Sequence, residues 1–441
     1  MTSGMKETSS PWMLEVPESW TVLPARYCVT SRQNGSWGES PLNEGEGQFC
    51  LRAADFDYEH LGLKPRESFT RRVYSEAEFE RVKVRRGDLI VEKSGGGEKT
   101  PVGRAVLIEN PIDVAFSNFL ERLTVDSLKC IPEFFAYWWT AGYQSASFVP
   151  FFNQTTGIQN LNTTKLLAAN VIALPESEEQ YAIVELLDEE CAKIDQAIDL
   201  LQQELDALEQ LKKSIIYEAV TKGLDPTVPM KPSGVEWIGE IPEHWVTKRL
   251  RYVASAKTGQ TPPSDDPTYF DGPVTWYTPN DINNDHVDTS ARTLTLKAIS
   301  ERRAPLISAG VTLFVGIGAT IGKVGFSNSA CSFNQQITAL PTYVDSAEWL
   351  FYVMQAQRDF IVGQAMYTTL PIVNNGSLGD LLLPIPPGGE QSEIAVALNK
   401  RISHIDQIVA VKKLQSETLA RQRESLIFEY VTGKRRVSEV A

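Results

Sequence analysis

The chain has 441 residues, is 42% hydrophobic and carries 18 Phe, 14 Tyr and 9 Trp, which is material for about three folding units and excludes a disordered coat. Forty-two Lys and Arg against 56 Asp and Glu leave a formal charge of -14, which excludes a general attraction to phosphates and demands local basic surface of any nucleic-acid reader. Five cysteines without C-x-x-C and four scattered histidines without H-E-x-x-H argue against a disulfide framework, a zinc knuckle and a conventional metal hydrolase.

The first residues hold no apolar run behind a basic start, and no later stretch nears 18 continuous apolar residues, so a soluble, cytoplasmic chain with no membrane partner is expected. Between 11 and 175, short apolar runs such as Leu89-Ile90-Val91 and Ala105-Val106-Leu107-Ile108 are broken by turn residues and predict β structure. A helix is predicted near 131–142, where Phe134, Phe135, Tyr137 and Trp138 recur at helical intervals. Residues 81–86 put four cations in six positions. Their alternation predicts a strand with Arg81, Lys83 and Arg85 on one face and Val82 and Val84 on the other, a ridge for phosphates or simply a solvated face. A flexible loop, 94–99, follows between Lys93 and Lys99.

From 176 to 222 a long helix is predicted. Ser177 and Gln180 form a capping box, and Gly223 stops the far end. Val184, Leu187, Cys191, Ile194, Ile198, Leu201, Leu205 and Leu208 step by three and four as a coiled-coil seam, with Leu211 and Ile215 extending it after a slip. At 1.5 Å per residue the rod is about 65–70 Å long. A connector, 223–241, leads into a second strand-rich region, 235–386.

In that region Val311-Thr312-Leu313-Phe314-Val315 reads as strand, and a helix is expected near 347–360. The stretches 257–263 and 277–285 expose amides and hydroxyls that suit base edges or phosphates, or plain surface. The glycine cluster 316–323 has neither the spacing nor the Ser/Thr of a Walker A sequence, and reads as tight β turning. A second long helix, 389–433, carries Leu398, Ile402, Ile405, Val409, Leu419 and Leu426 and precedes a tail, 434–441. Lys412 and Ser416 interrupt its seam, so either the helix turns Leu414 inward or it packs loosely there. Residues 176–209 hold twelve acids and one base, whereas 390–430 hold six of each, so the second helix opposes the acidic rod with cations.

The chain repeats itself. Residues 11–20 match 236–245 at an offset of 225, 86–91 match 309–314 at 223, and Val102-Gly103-Arg104 matches Ile321-Gly322-Lys323 at 219. Glu179-Gln180, Ile194-Asp195 and Val220-Thr221 match Glu390-Gln391, Ile405-Asp406 and Val431-Thr432 at 211. The expected fold is α+β: two domains with mixed, β-rich cores, separated by two long helices in an antiparallel coiled coil, with pseudo-twofold internal symmetry.

The segment 231–245, ending Trp237-Ile238-Gly239-Glu240-Ile241-Pro242-Glu243-His244-Trp245, resembles the opening of a target recognition domain in the specificity subunit of type I restriction-modification enzymes. Thr258-Gly259-x-Thr261-Pro262, Asn334-Gln335-Gln336, the Pro-rich stretch before Glu390-Gln391 and the ending Tyr430-Val431-Thr432-Gly433-Lys434 are similar to the rest of that pattern. In the first copy Ser31-Arg32-Gln33-Asn34-Gly35 stands where the Thr-Gly motif is expected, and Ser117-Asn118-Phe119-Leu120 where Asn-Gln-Gln is. The resemblance implies two target recognition domains, each reading half of a split double-stranded DNA sequence. It implies partners too: two methyltransferase subunits and ATP-driven restriction subunits. S-adenosylmethionine, ATP and magnesium would be used by those partners, and no cofactor or metal by this chain.

No bond chemistry is expected of the chain itself, which lacks Asn/Asp-Pro-Pro-Tyr/Phe, Phe-x-Gly-x-Gly and a Walker A. Candidate DNA-binding residues are Lys83, Arg85, Lys93 and Arg104 in the first copy, and Lys257, Thr261, Asn280 and Lys323 in the second. Two alternatives stand beside this reading: an assembly protein whose domains bind only other proteins, and a self-sufficient restriction enzyme with a hidden centre.

Overall fold

A computed structural model describes residues 4–57, 62–97, 100–155, 157–363, 365–367 and 371–437, in two units: 1–202 with 413–441, and 203–412. Lys99 of the expected loop lies outside the described residues.

In the first unit the strand Asp88–Glu92 is buried at all five positions, which requires neighbours on both edges and cover on both faces. It lies inside a four-stranded antiparallel sheet, in the order Ala105–Leu107, Asp88–Glu92, Leu120–Val125, Val29–Asn34. A second sheet orders Val114–Phe116, Gln48–Leu51 and Thr70–Arg72, its first two strands parallel. The helix Pro132–Gln144 starts on a proline, whose fixed φ suits a first helical turn, and buries Phe134, Phe135, Trp138 and Trp139 in the core.

The second unit repeats this plan strand for strand. Val324–Ser327, Val311–Val315, Ile337–Leu340 and Lys257–Thr258 form the antiparallel sheet. Ser332–Phe333, Phe270–Tyr277 and Arg292–Leu294 form the mixed sheet, again with the first two parallel. The glycine cluster is the connection between Val311–Val315 and Val324–Ser327. There Gly318 and Gly322 take φ of 102° and 87°, and Gly322 N–H donates to Val315 O (2.9 Å).

Residues 81–86 are not the expected strand. Ser75 caps a helix, Glu76–Val82, by accepting from Glu78 N–H (3.3 Å), and Phe79 and Val82 bury its inner face. Three-residue spacing of apolar side chains outweighs the two-residue alternation of charge, and Lys83 retains only an isolated bridge to Ala115.

The long helices are Ser177–Lys222 and Gly388–Val431, of 46 and 44 residues. Each unit takes part of both. In the second unit Lys412 pairs with Glu204 (2.5 Å) and Lys212 with Asp406 (2.7 Å), so one number rises as the other falls and the stretches run antiparallel. In the first unit Arg423 pairs with Asp195 (2.8 Å), and Arg436 beyond the helix end reaches Glu179 near the start of the other helix (2.6 Å). Leu187, Cys191, Ile194, Leu205, Leu398, Ile402 and Ile405 are buried, while Ile198, Leu201, Leu208 and Val409 are half-buried.

One open point of the seam is decided and one expectation is corrected. Leu414 is 58% exposed and does not turn inward; Lys412, Ser416 and Leu419 stay half-buried on the original face, with the ammonium of Lys412 on Glu204. Leu211 is also exposed, and the stripe passes through Lys212, whose long stem covers apolar surface, to buried Ile216, Ala219 and Val220.

Within each unit the repeated Trp and Glu meet. Trp20 Nε1 donates to Glu179 Oε2 (3.2 Å), and Trp245 Nε1 donates to Glu390 Oε2 (3.0 Å). The following glutamines tie helix to globular part: Gln180 bonds Pro175 O and Ile131 N–H, and Gln391 bonds Pro386 O and Ser346 N–H. The other helix ends on the same tryptophan, at Gly433 beside Trp20 and Gly223 beside Trp245, both in the left-handed region.

Candidate nucleic-acid interface

In the second unit the parallel strands Phe270–Tyr277 and Ser332–Phe333 end side by side, so the loops that follow them leave from one edge. Asn334 N–H donates to Tyr277 O (3.0 Å) and joins the two exits. In the first loop Asp281 accepts from Thr278 N–H (2.8 Å), Thr278 Oγ1 (2.7 Å) and Ala291 N–H (2.9 Å), a turn fixed by one carboxylate. In the second, Asn334 Oδ1 accepts from Gln336 N–H (3.1 Å), which leaves Gln335 at the exposed tip.

The segment that follows Lys257–Thr258 crosses this edge. Gly259 N–H donates to Ile337 O (3.1 Å), Gln260 N–H to Phe333 O (3.0 Å), and Trp276 Nε1 to Gln260 O (3.2 Å). A Cβ at Gly259 would lie 2.2 Å from Phe333 O and 2.3 Å from Asn334 O, so only glycine permits the crossing. Thr261 Oγ1 donates to Gln335 Oε1. Together Gln260, Thr261, Pro263, Gln335, Arg302 and Arg303 line an open pocket of 530 Å³.

The first unit builds the same crossing from different residues. Gly35 N–H donates to Leu120 O (3.2 Å) and Ser36 N–H to Phe116 O (2.9 Å), and a Cβ at Gly35 would lie 2.1 Å from Ser117 O. Asn34-Gly35 therefore occupies the place of Thr258-Gly259, and the motif runs on into Ser36-Trp37 rather than lying wholly within 31–35. Asp55 repeats the role of Asp281, accepting from Arg52 N–H (2.8 Å).

The candidate residues do not converge on one point. Thr261 lines the pocket; Lys257 is exposed at the start of the crossing segment, and Asn280 is exposed on the neighbouring loop. Lys323 is half-buried in the glycine-rich connection and does not line the pocket. In the first unit Lys93 Nζ donates to Asn34 Oδ1 (2.7 Å), at the crossing itself. Arg85 is exposed. Lys83 and Arg104 are already neutralised. Asp113 bonds Lys83 at 2.6 Å and raises its pKa, and Arg104 lies 3.1 Å from buried Glu92, whose carboxyl is pushed up by burial while Arg104 pulls it back.

Other cations, absent from that selection, rest on aromatic rings. Arg66 and Arg71 lie over Phe49 (4.7 and 4.1 Å to the ring centroid) and Arg72 over Trp37 (4.3 Å), and none of the three is ion-paired with a described acid. Arg71 is held by Gly47 O and Arg72 by Trp37 O. In the second unit Arg292 stacks on Phe270 (4.3 Å). The pairs Arg71-Arg72 and Arg302-Arg303 were visible as dipeptides, but the aromatic partners Phe49, Trp37 and Tyr269 lie far from them in sequence.

Among the described residues no group of three or more His, Cys, Asp or Glu side chains could hold a metal ion, and no helix is long and apolar enough to cross a membrane.

The family model for the type I restriction modification DNA specificity domain matches residues 76–210 and 242–416. The type I restriction enzyme MjaIX specificity subunit of Methanocaldococcus jannaschii is 27% identical over 188 residues, 41% of this chain and 42% of that protein. The match thus spans less than half of that relative's own length. The MjaVIII specificity subunit of the same organism is 22% identical over 313 residues, 65% of this chain and 68% of that one. A chain solved to explain complex assembly and conformational transition of the type I R-M system superposes with a TM-score of 0.67 at 17% identity, covering 94% of this chain and 98% of that chain, a likeness of fold. Matched twice, over most of its length, the chain belongs to the type I restriction modification DNA specificity family.

Proposed function

We propose that the chain is the DNA-reading subunit of a cytoplasmic type I restriction-modification complex, in which each unit contacts one half of a split duplex sequence. In this reading methyltransferase subunits, using S-adenosylmethionine, and restriction subunits, using ATP and magnesium, carry out the chemistry while this chain chooses the site. Within a family of DNA specificity domains, the observation that carries the reading is the double construction of one device. A glycine crossing and two loops leaving a parallel strand pair are built twice, from different side chains. A fixed backbone frame with exchanged polar residues is what two different half-sites require.

Phosphate contacts suit the stacked Arg66, Arg71 and Arg72 in the first unit, which pair with no acid among the described residues, and Lys257 in the second. Lys83 and Arg104 suit this less, because a phosphate would have to displace a carboxylate.

The test is methylation mapping in cells that carry this chain with the methyltransferase of its own system. A single motif of two specified parts around unspecified bases is expected. An uninterrupted motif would overturn the split-site reading, and no sequence preference would favour the protein-assembly alternative.

A further inference from the structure

The short helix Leu296–Ser300 ends in a turn in which Arg303 N–H donates to Ala298 O (2.8 Å) and Arg302 N–H to Ile299 O (3.0 Å). That pair of bonds is a Schellman close, and its penultimate residue is ordinarily glycine because the backbone there is left-handed. Here it is Arg302, at φ 56°. A bulky side chain in that region is strained, and the strain persists where another requirement outweighs it. Arg302 is exposed and lines the 530 Å³ pocket, and its guanidinium has no hydrogen-bond or ion-pair partner among the described residues. Its neighbour Arg303 leans on Tyr269 (5.9 Å to the ring centroid) and comes within 4.0 Å of Glu301.

The same pocket holds further donors. The Thr261 hydroxyl donates to the carbonyl oxygen of Gln335, and the amide N–H₂ groups of Gln335 and Gln260 have no hydrogen-bond partner among the described residues. Of the four bases, only guanine presents two adjacent acceptors and no donor or methyl group in the major groove. We infer that this pocket reads a guanine in the half-site of the second unit, with Arg302 as the specificity-determining residue. The inference rests on the proposed DNA-reading function and adds a base and a residue to it.

The test uses the full chain and a pool of randomised duplexes selected at fixed salt. The parent should enrich a two-part motif with a guanine in one part. Arg302→Gly should lose that guanine preference, with on the order of ten- to a hundredfold weaker binding to the parent motif, and leave the other part unchanged. Its thermal midpoint should equal or exceed the parent's, because glycine relieves the left-handed strain. Arg302→Asn, which tolerates the same backbone and carries no charge, should behave alike. An undiminished guanine preference in both variants would overturn the inference and leave the DNA-reading function intact. If the parent enriches no motif at all, that function fails and the inference with it.

Discussion

Gly433 and Gly223 end the two long helices in equivalent turns, with φ of 69° and 77°, yet alanine should be tolerated very differently at the two. Both substitutions force an L-residue into the left-handed region, at roughly 1–2 kcal/mol. At Gly223 the new Cβ meets Glu390 Oε1 at 3.1 Å and Trp245 at 3.3 Å, contacts that a small shift relieves. At Gly433 it would lie 2.4 and 2.5 Å from the ring of buried Pro17, well inside contact distance, and 3.1 Å from Trp20, so the backbone itself has to shift. Overpacking of that kind adds about 1–3 kcal/mol, so Gly433→Ala should destabilise its unit by about 2–5 kcal/mol and Gly223→Ala by about 1–2. A chain of two units need not unfold in one step, so hydrogen exchange resolved by peptide is the suitable measurement. Protection should fall in 12–20 and 427–433 for the first variant, and more weakly in 216–222 and 238–246 for the second. Equal losses in both variants would refute the packing described for Pro17 and Trp20.

Leu398→Ala should cost about 2–5 kcal/mol by opening a cavity at a fully buried seam position, whereas Leu414→Ala, on an exposed face, should stay within about 0.5; chemical denaturation of each variant checks the contrast. His286 sits against Asp285 (3.6 Å) and Glu348 (3.3 Å), and these carboxylates, Asp285 first, raise its pKa above the ordinary 6.5 despite burial. A raised histidine binds its proton more tightly when folded, so this contribution is complete below about pH 6.5 and is lost as pH rises through the folded pKa. His286→Gln should flatten the stability of the second unit across that window, measured by exchange of residues 283–287 and 348–355; an unchanged pH profile would count against the contact.

The duplication and the two long helices could be read from the sequence because both rest on order and spacing, which survive without coordinates. The seam at Lys412 could not. A lysine there looks like a defect until Glu204 is found opposite, and the choice between a turned helix and a looser one depends on that distant carboxylate. Residues 81–86 misled for a related reason: alternating charge suggested a strand, while Ser75, Phe79 and Val82 supplied a cap and a buried face for a helix. The crossing in the first unit escaped notice because its backbone needs only a glycine; Asn34-Gly35 meets that need without the threonine and proline of the second copy. Nothing in the sequence marks Arg66, Arg71 and Arg72 above the denser run of cations at 81–86, because the burial of Glu92, the nearness of Asp113 and the rings of Phe49 and Trp37 are properties of the fold.

The first unit closes its core with Ile427, Tyr430 and Val431, which follow the whole of the second unit in the chain. During synthesis, then, the later-starting half is the first to have all its parts. At roughly 5–20 residues per second the intervening 203–412 occupy the ribosome for about 10–40 s, and through that interval Trp12, Trp20 and their neighbours wait for partners not yet made. A chaperone that shields aromatic surface has its opportunity in that interval, and a chain that stalls late in translation leaves one finished unit joined to one that cannot close.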